Sequence, residues 1–156
     1  MAVNETLDSW VSNGWLQKHE GSAEETADLL AIVDRDIAEC RTPGLSADWR
    51  LAIAYNGALQ AARAALAAAG YRVPKSEPGH HHRVVESLRH TARLDSSKVD
   101  VLQRMKKKRN VSDYEVAGAV SEREADEMVA LAGRVRDTVR AWLETEHPEL
   151  LPRSSN

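Results

Sequence analysis

Leu102, Met105 and Arg109 follow one another at spacings of three and four. A helix through them therefore sets the Arg109 guanidinium on the same stripe as two apolar side chains. A guanidinium on such a stripe is costly to bury unless something pairs with it. Lys106, Lys107 and Lys108 sweep across the other directions of the same helix and need no comparable explanation. Arg109 could pair with Asp113 four residues on, or cap the carbonyls of a helix end. It could equally be a cation held for an outside phosphate.

The surrounding charge favours an anion. Between His80 and Arg109 lie nine Lys or Arg against three acids, a local +6, whereas the whole chain carries a formal -3. Such a chain has a local field for phosphate without the global charge of a non-specific nucleic-acid coat. No aromatics interleave with the basic run, which argues against base stacking as its main mode of contact.

The histidines are the second group with chemistry. His80, His81 and His82 are consecutive, and on a helix they point about 100° apart, so they cannot share one ion. His82, Glu86 and His90 do share a face, but the outer pair is then about 12 Å apart, too far for an unstrained site. No metal is expected; a helix start or contact with phosphate suits His81 and His82 better. Arg83 and His90 stand seven positions apart, two turns and about 10 Å along one face, which makes a poor catalytic pair.

Six helices must position these groups. The first is expected from Thr6 to His19, stopping near Gly21; the second opens with Ser22 and Glu25, the pair of a capping box, and carries Leu30, Val33, Ile37 and Cys40 on one stripe before Pro43. A third follows the cap residue Ser46 and runs from Ala47 to Ala69, ending at Gly70, with two packable faces that make it the central helix. Tyr71 to Gly79 reads as an irregular loop, followed by a fourth helix from His81 to Arg93 and a fifth from Ser96. The sixth starts at Ser121, with Glu124 as its capping partner, and shows Ala125, Met128, Ala132, Val135, Val139 and Trp142 on one seam before Pro148. Long helices with short connections imply an all-α, antiparallel bundle of five to six helices.

The chain's 156 residues suit one core, so one domain is expected over 1–149, with a flexible tail over 150–156. Phenylalanine is absent, leaving an aliphatic core with the four tryptophans as its large pieces. Cys40 is the only cysteine, which excludes an internal disulfide and fits a reducing compartment. No run approaches the roughly 20 apolar residues of a membrane span, and the start MAVNETLDSW lacks a basic region followed by an apolar run. A cytoplasmic protein with no membrane partner is the expectation.

Four segments carry a family resemblance: AYNGALQAARAALAAAGYR from Ala54, GHHHRVVESL from Gly79, KKKRNVSDYE from Lys106 and VSEREADEMV from Val120. Together they resemble the HEPN domains of prokaryotes, small helical bundles related to the partners of minimal nucleotidyltransferases. The resemblance implies a homodimer without cofactors. In active members an Arg, the polar residue after it and a His separated from the Arg by four to six residues cleave RNA without metal. Arg109 matches the Arg and Asn110 the polar residue, whereas Tyr114 stands at the shortest His spacing and no histidine follows before His147. A tyrosine with an ordinary pKa of about 10 is a poor base at neutral pH. On a regular helix residues five apart also stand about 140° apart, so Arg109 and Tyr114 converge only if the helix breaks near Asn110.

The resulting expectation is a HEPN-like domain that binds RNA or a cognate partner through Arg109, Asn110 and Tyr114. Lys106, Lys107, Lys108, Asp113, His81 and His82 surround them. The setting implied is a toxin-antitoxin-type pair, with an antitoxin or nucleotidyltransferase-like protein as partner. The alternatives are an active endoribonuclease in which another base replaces the histidine, and a purely structural dimerising module.

Overall fold

In the computed structural model the described residues are 2–76, 79–114 and 117–152, with side chains described from 6 to 76, 79 to 110 and 117 to 152. Among these residues six α helices form an all-α bundle: α1 (Ala2–Ser12), α2 (Ala23–Glu39), α3 (Ala47–Ala69), α4 (His80–Ser87), α5 (Ser96–Tyr114) and α6 (Glu122–Glu146), closed by a 3-10 turn at Pro148–Leu150. The helix α3 is central, packed between α6 and α2, with α4 and α5 also against it. Its alanines are the reason: Ala54, Ala58, Ala61, Ala62, Ala64 and Ala65 are all buried, and side chains this small let four neighbours approach one backbone.

Local chemistry sets most helix ends. The Ser46 Oγ accepts from Trp49 N at 3.2 Å and starts α3, and Gly70, at φ 101°, ends it. At α6 the capping box is complete, with Ser121 Oγ accepting from Glu124 N and the Glu124 carboxylate accepting from Ser121 N, each at 3.0 Å. At α2 only half of it forms. Ser22 Oγ accepts from Glu25 N at 3.1 Å, but the Glu25 carboxylate turns to His19 Nε2 at 2.8 Å.

Three expectations are corrected. The first helix does not reach His19: Gly14, at φ 79°, turns the chain, Leu16 drops into the core, and Gln17–Lys18 (β1) pairs antiparallel with Tyr71–Arg72 (β2) inside the segment expected to be irregular. The fourth helix ends at Ser87, followed by turns and by Arg93 at φ 56°, so Arg83 and His90 do not share one continuous helix. The tryptophans are not the large pieces of the core. Trp10, Trp15 and Trp142 are half-buried and Trp49 is 63% exposed, while Tyr55 is the largest fully buried side chain. The buried stripe of α2 (Leu30, Val33, Ile37, Cys40) lies as the spacing requires. Along the α6 seam everything is buried except Trp142, which is half-buried beside a buried Leu143.

Candidate functional site

The site is built where α5 crosses α3. Val99, Leu102 and Met105 anchor α5 in the core, and Arg109, one turn further on, is half-buried. Its guanidinium carbon lies 5.4 Å from the centroid of the Tyr55 ring, a cation–π contact that takes up the apolar side of the group. His81, in the first turn of α4, brings its ring to 6.5 Å from the same Tyr55 ring, and His80 lies 5.7 Å from His81. Tyr55 is thus the shared surface on which an Arg from α5 and a His from α4 meet.

The electrostatics of this cluster follow from its packing. Burial pushes the His81 pKa below its ordinary value, and charge interactions with Arg109, His80, Lys106 and Arg63 push it the same way. His81 is therefore a neutral imidazole at pH 7, able to accept a proton. The Tyr55 hydroxyl is pushed up to about 12 by burial, opposed by Arg109, so it stays protonated. Its oxygen has no hydrogen-bond partner among the described residues.

Beside Arg109 a cleft of about 740 Å³ opens between α2, α3 and α5. Trp49 stands on its rim, and Asn56 and Asp36 lie inside. Asp36 is only 3% exposed. Its Oδ1 accepts from Arg35 Nε and Nη2, each at 3.1 Å, and its Oδ2 from Asn56 Nδ2 at 2.7 Å. Asn56 Oδ1 accepts in turn from Gln60 Nε2 at 3.2 Å. This chain fixes the Asn56 amide one residue from Tyr55. Asp48 holds the other end by accepting from Gly118 N at 2.6 Å and Val120 N at 3.2 Å, which ties the α5–α6 connection to the start of α3.

The basic run divides on folding. Arg89 bonds Glu86 and Asp100, Lys98 pairs with Asp95, Arg104 with Glu127, and Lys108 with Glu124 at 3.4 Å. Glu86, Asp95 and Asp100 are already counted in the local +6, and Glu127 and Glu124 of α6 offset two more of its charges. Lys106 is half-buried in the cluster near His81, while Lys107 and Asn110 are exposed. His82 is exposed too, and its carbonyl accepts from Gln103 Nε2 at 3.1 Å. Helix α5 runs past Asn110 to Tyr114, so the break that would let Arg109 and Tyr114 converge does not occur. The Asp113 and Tyr114 side chains lie outside the described residues.

Two other sequence candidates have structural roles. The Arg83 guanidinium stacks on Trp15, 3.6 Å from its centroid, and His90 meets Trp10 edge-on at 5.4 Å. Glu86 is engaged by Arg89 and Gln103, and no group of three metal-ligating side chains stands together among the described residues. Tyr55 and Asn56 lie in the AYNG segment of the resemblance but, like Asp36, are not among the site residues expected from the sequence. A signal for Asp36 existed: it lies three residues after Val33 and next to Ile37, an acid on a buried stripe. No described helix is long and apolar enough to cross a membrane. No family model, curated protein or solved structure matches this chain.

Proposed function

We propose that this chain is a HEPN-like bundle that binds RNA through a phosphate site centred on Arg109. The observation that carries this reading is the meeting of the Arg109 guanidinium and the His81 ring on Tyr55, with Lys106 beside them. A guanidinium recognises an oxyanion through charge-assisted bonds, and a phosphodiester offers two non-bridging oxygens that one such group can bond. A homodimer and a cognate partner protein belong to the same reading. The exposed Trp49 on the cleft rim suits such a protein partner.

A second reading is favoured by the neutral state of His81. The histidine absent from the spacing after Arg109 is supplied from α4 instead, and the site cleaves the RNA it binds. His81 takes the proton of a ribose 2'-hydroxyl, whose oxygen attacks the adjacent phosphorus. Arg109 stabilises the added negative charge, and the 5'-oxygen leaves with a proton from solvent, giving a 2',3'-cyclic phosphate and a free 5'-hydroxyl.

Fluorescence anisotropy with labelled single-stranded RNA tests both. Loss of one charge-assisted contact of about 1.5–3 kcal/mol means that Arg109→Ala binds roughly 10- to 100-fold more weakly. His81→Ala keeps most of the binding; loss of cyclic-phosphate product in that variant marks the enzyme. Equal affinity of wild type and Arg109→Ala overturns the proposal.

A further inference from the structure

A second pocket, of about 570 Å³, lies beside β2 and shares no lining residue with the Arg109 cleft. Its size falls within the range of roughly 300–1,000 Å³ typical of small-molecule sites. Leu29 of α2, Leu66 of α3 and Val84 of α4 supply an apolar floor. Arg63 and His80 stand on its wall, and Lys75 on its exposed rim.

The charges of this pocket do not balance one another. Arg63 is half-buried, forms no ion pair among the described residues, and makes only one long bond, 3.5 Å from its Nη1 to Gln60 Oε1. The one carboxylate in the lining, Glu25, is held through both oxygens by His19 Nε2, at 2.8 and 3.0 Å. A half-buried guanidinium without a counter-ion beside an apolar floor is complemented by a ligand that carries an oxyanion at one end and hydrocarbon at the other. We infer that this pocket binds a small amphipathic organic anion, with its carboxylate or phosphate head on Arg63 and its apolar body on Leu29, Leu66 and Val84. The inference does not rest on RNA binding: the pocket shares no lining residue with the Arg109 cleft, although its His80 and Arg63 also act on His81.

Calorimetric titration with four probes tests it: octanoate, octyl phosphate, 1-octanol and inorganic phosphate, all below the concentrations at which the amphiphiles aggregate. At least one of the first two binds saturably with one site per chain and at least ten-fold more tightly than octanol or phosphate; whichever is stronger assigns the head group. Arg63→Gln weakens that probe at least ten-fold, and Lys75→Ala, on the exposed rim, weakens it measurably without affecting the fold. Circular dichroism confirms that Arg63→Gln is folded, and if it is not, Lys75→Ala decides. Binding of octanol as tight as that of both anions, no saturable binding at all, or affinities unchanged in the folded variants would overturn the inference.

Discussion

Tyr55→Phe is expected to make the protein more stable, although it removes a polar group from the candidate site. The side chain is 0% exposed and its hydroxyl has no partner among the described residues. A buried hydroxyl that has lost water without gaining a partner costs about 1–3 kcal/mol. Phenylalanine keeps the ring, and with it the face that the Arg109 guanidinium covers at 5.4 Å. The chain has 156 residues, and at about 2 cal/mol/K per residue a gain of about 1–2 kcal/mol raises Tm by roughly 3–6 °C. Thermal denaturation followed by far-UV circular dichroism at pH 7 measures it. The gap should widen in alkali. Burial raises the Tyr55 pKa to about 12 from 10, so the folded state of the wild type holds its phenolic proton more tightly than the unfolded state. That contribution is complete below pH 10 and is lost as pH rises toward 12, and only the wild type has it to lose. A Tm for Tyr55→Phe below that of wild type at pH 7 would refute the reasoning, since it would mean that the hydroxyl has a partner.

Further predictions concern other parts of the bundle. A Cβ added at Gly21 would lie 2.6 Å from the carbonyl oxygen of Ala67, a backbone atom of α3 that cannot move aside, so Gly21→Ala should cost about 1–3 kcal/mol and lower Tm by several degrees. Burial works to raise the Glu86 pKa, but bonds from Arg89 and Gln103 hold it below the ordinary carboxylate value. Its stabilisation is present above pH 4.5 and is lost as pH falls through the lower folded value, so Glu86→Gln should cost about 1 kcal/mol near neutrality, with the Tm gap closing at acid pH. The His81 ring should titrate in an NMR series below the ordinary imidazole value; titration at or above it contradicts the packing against Tyr55 and the neighbouring cations.

The parts of this structure that can be read from the chain are those where one local rule acts alone. Ser46, and Ser121 with Glu124, stand before apolar-periodic runs and cap them as their types require. Val33, Ile37 and Cys40 are buried because their spacing leaves no other face. The failures occur where a distant partner outcompetes a local one. Glu25 abandons the backbone of its own capping box for His19. Strands of two residues, β1 and β2, carry no period to recognise and exist only because Gly14 and Gly70 return the chain to one place. At the candidate site the stripe through Leu102 and Met105 correctly brings Arg109 to a half-buried position. That His81 would face the same ring depends on the α3–α4 connection, whose path no spacing reveals.

The salt dependence of RNA affinity tests the central claim most directly, because it counts phosphates rather than measuring overall stickiness. Each phosphate neutralised on a single strand contributes about -0.7 to the slope of log K against log salt. If Arg109 holds a phosphate, Arg109→Ala makes that slope shallower by about 0.7 as well as weakening binding. A slope identical to that of wild type, whatever happens to the affinity, would contradict the account and leave Arg109 as scaffold.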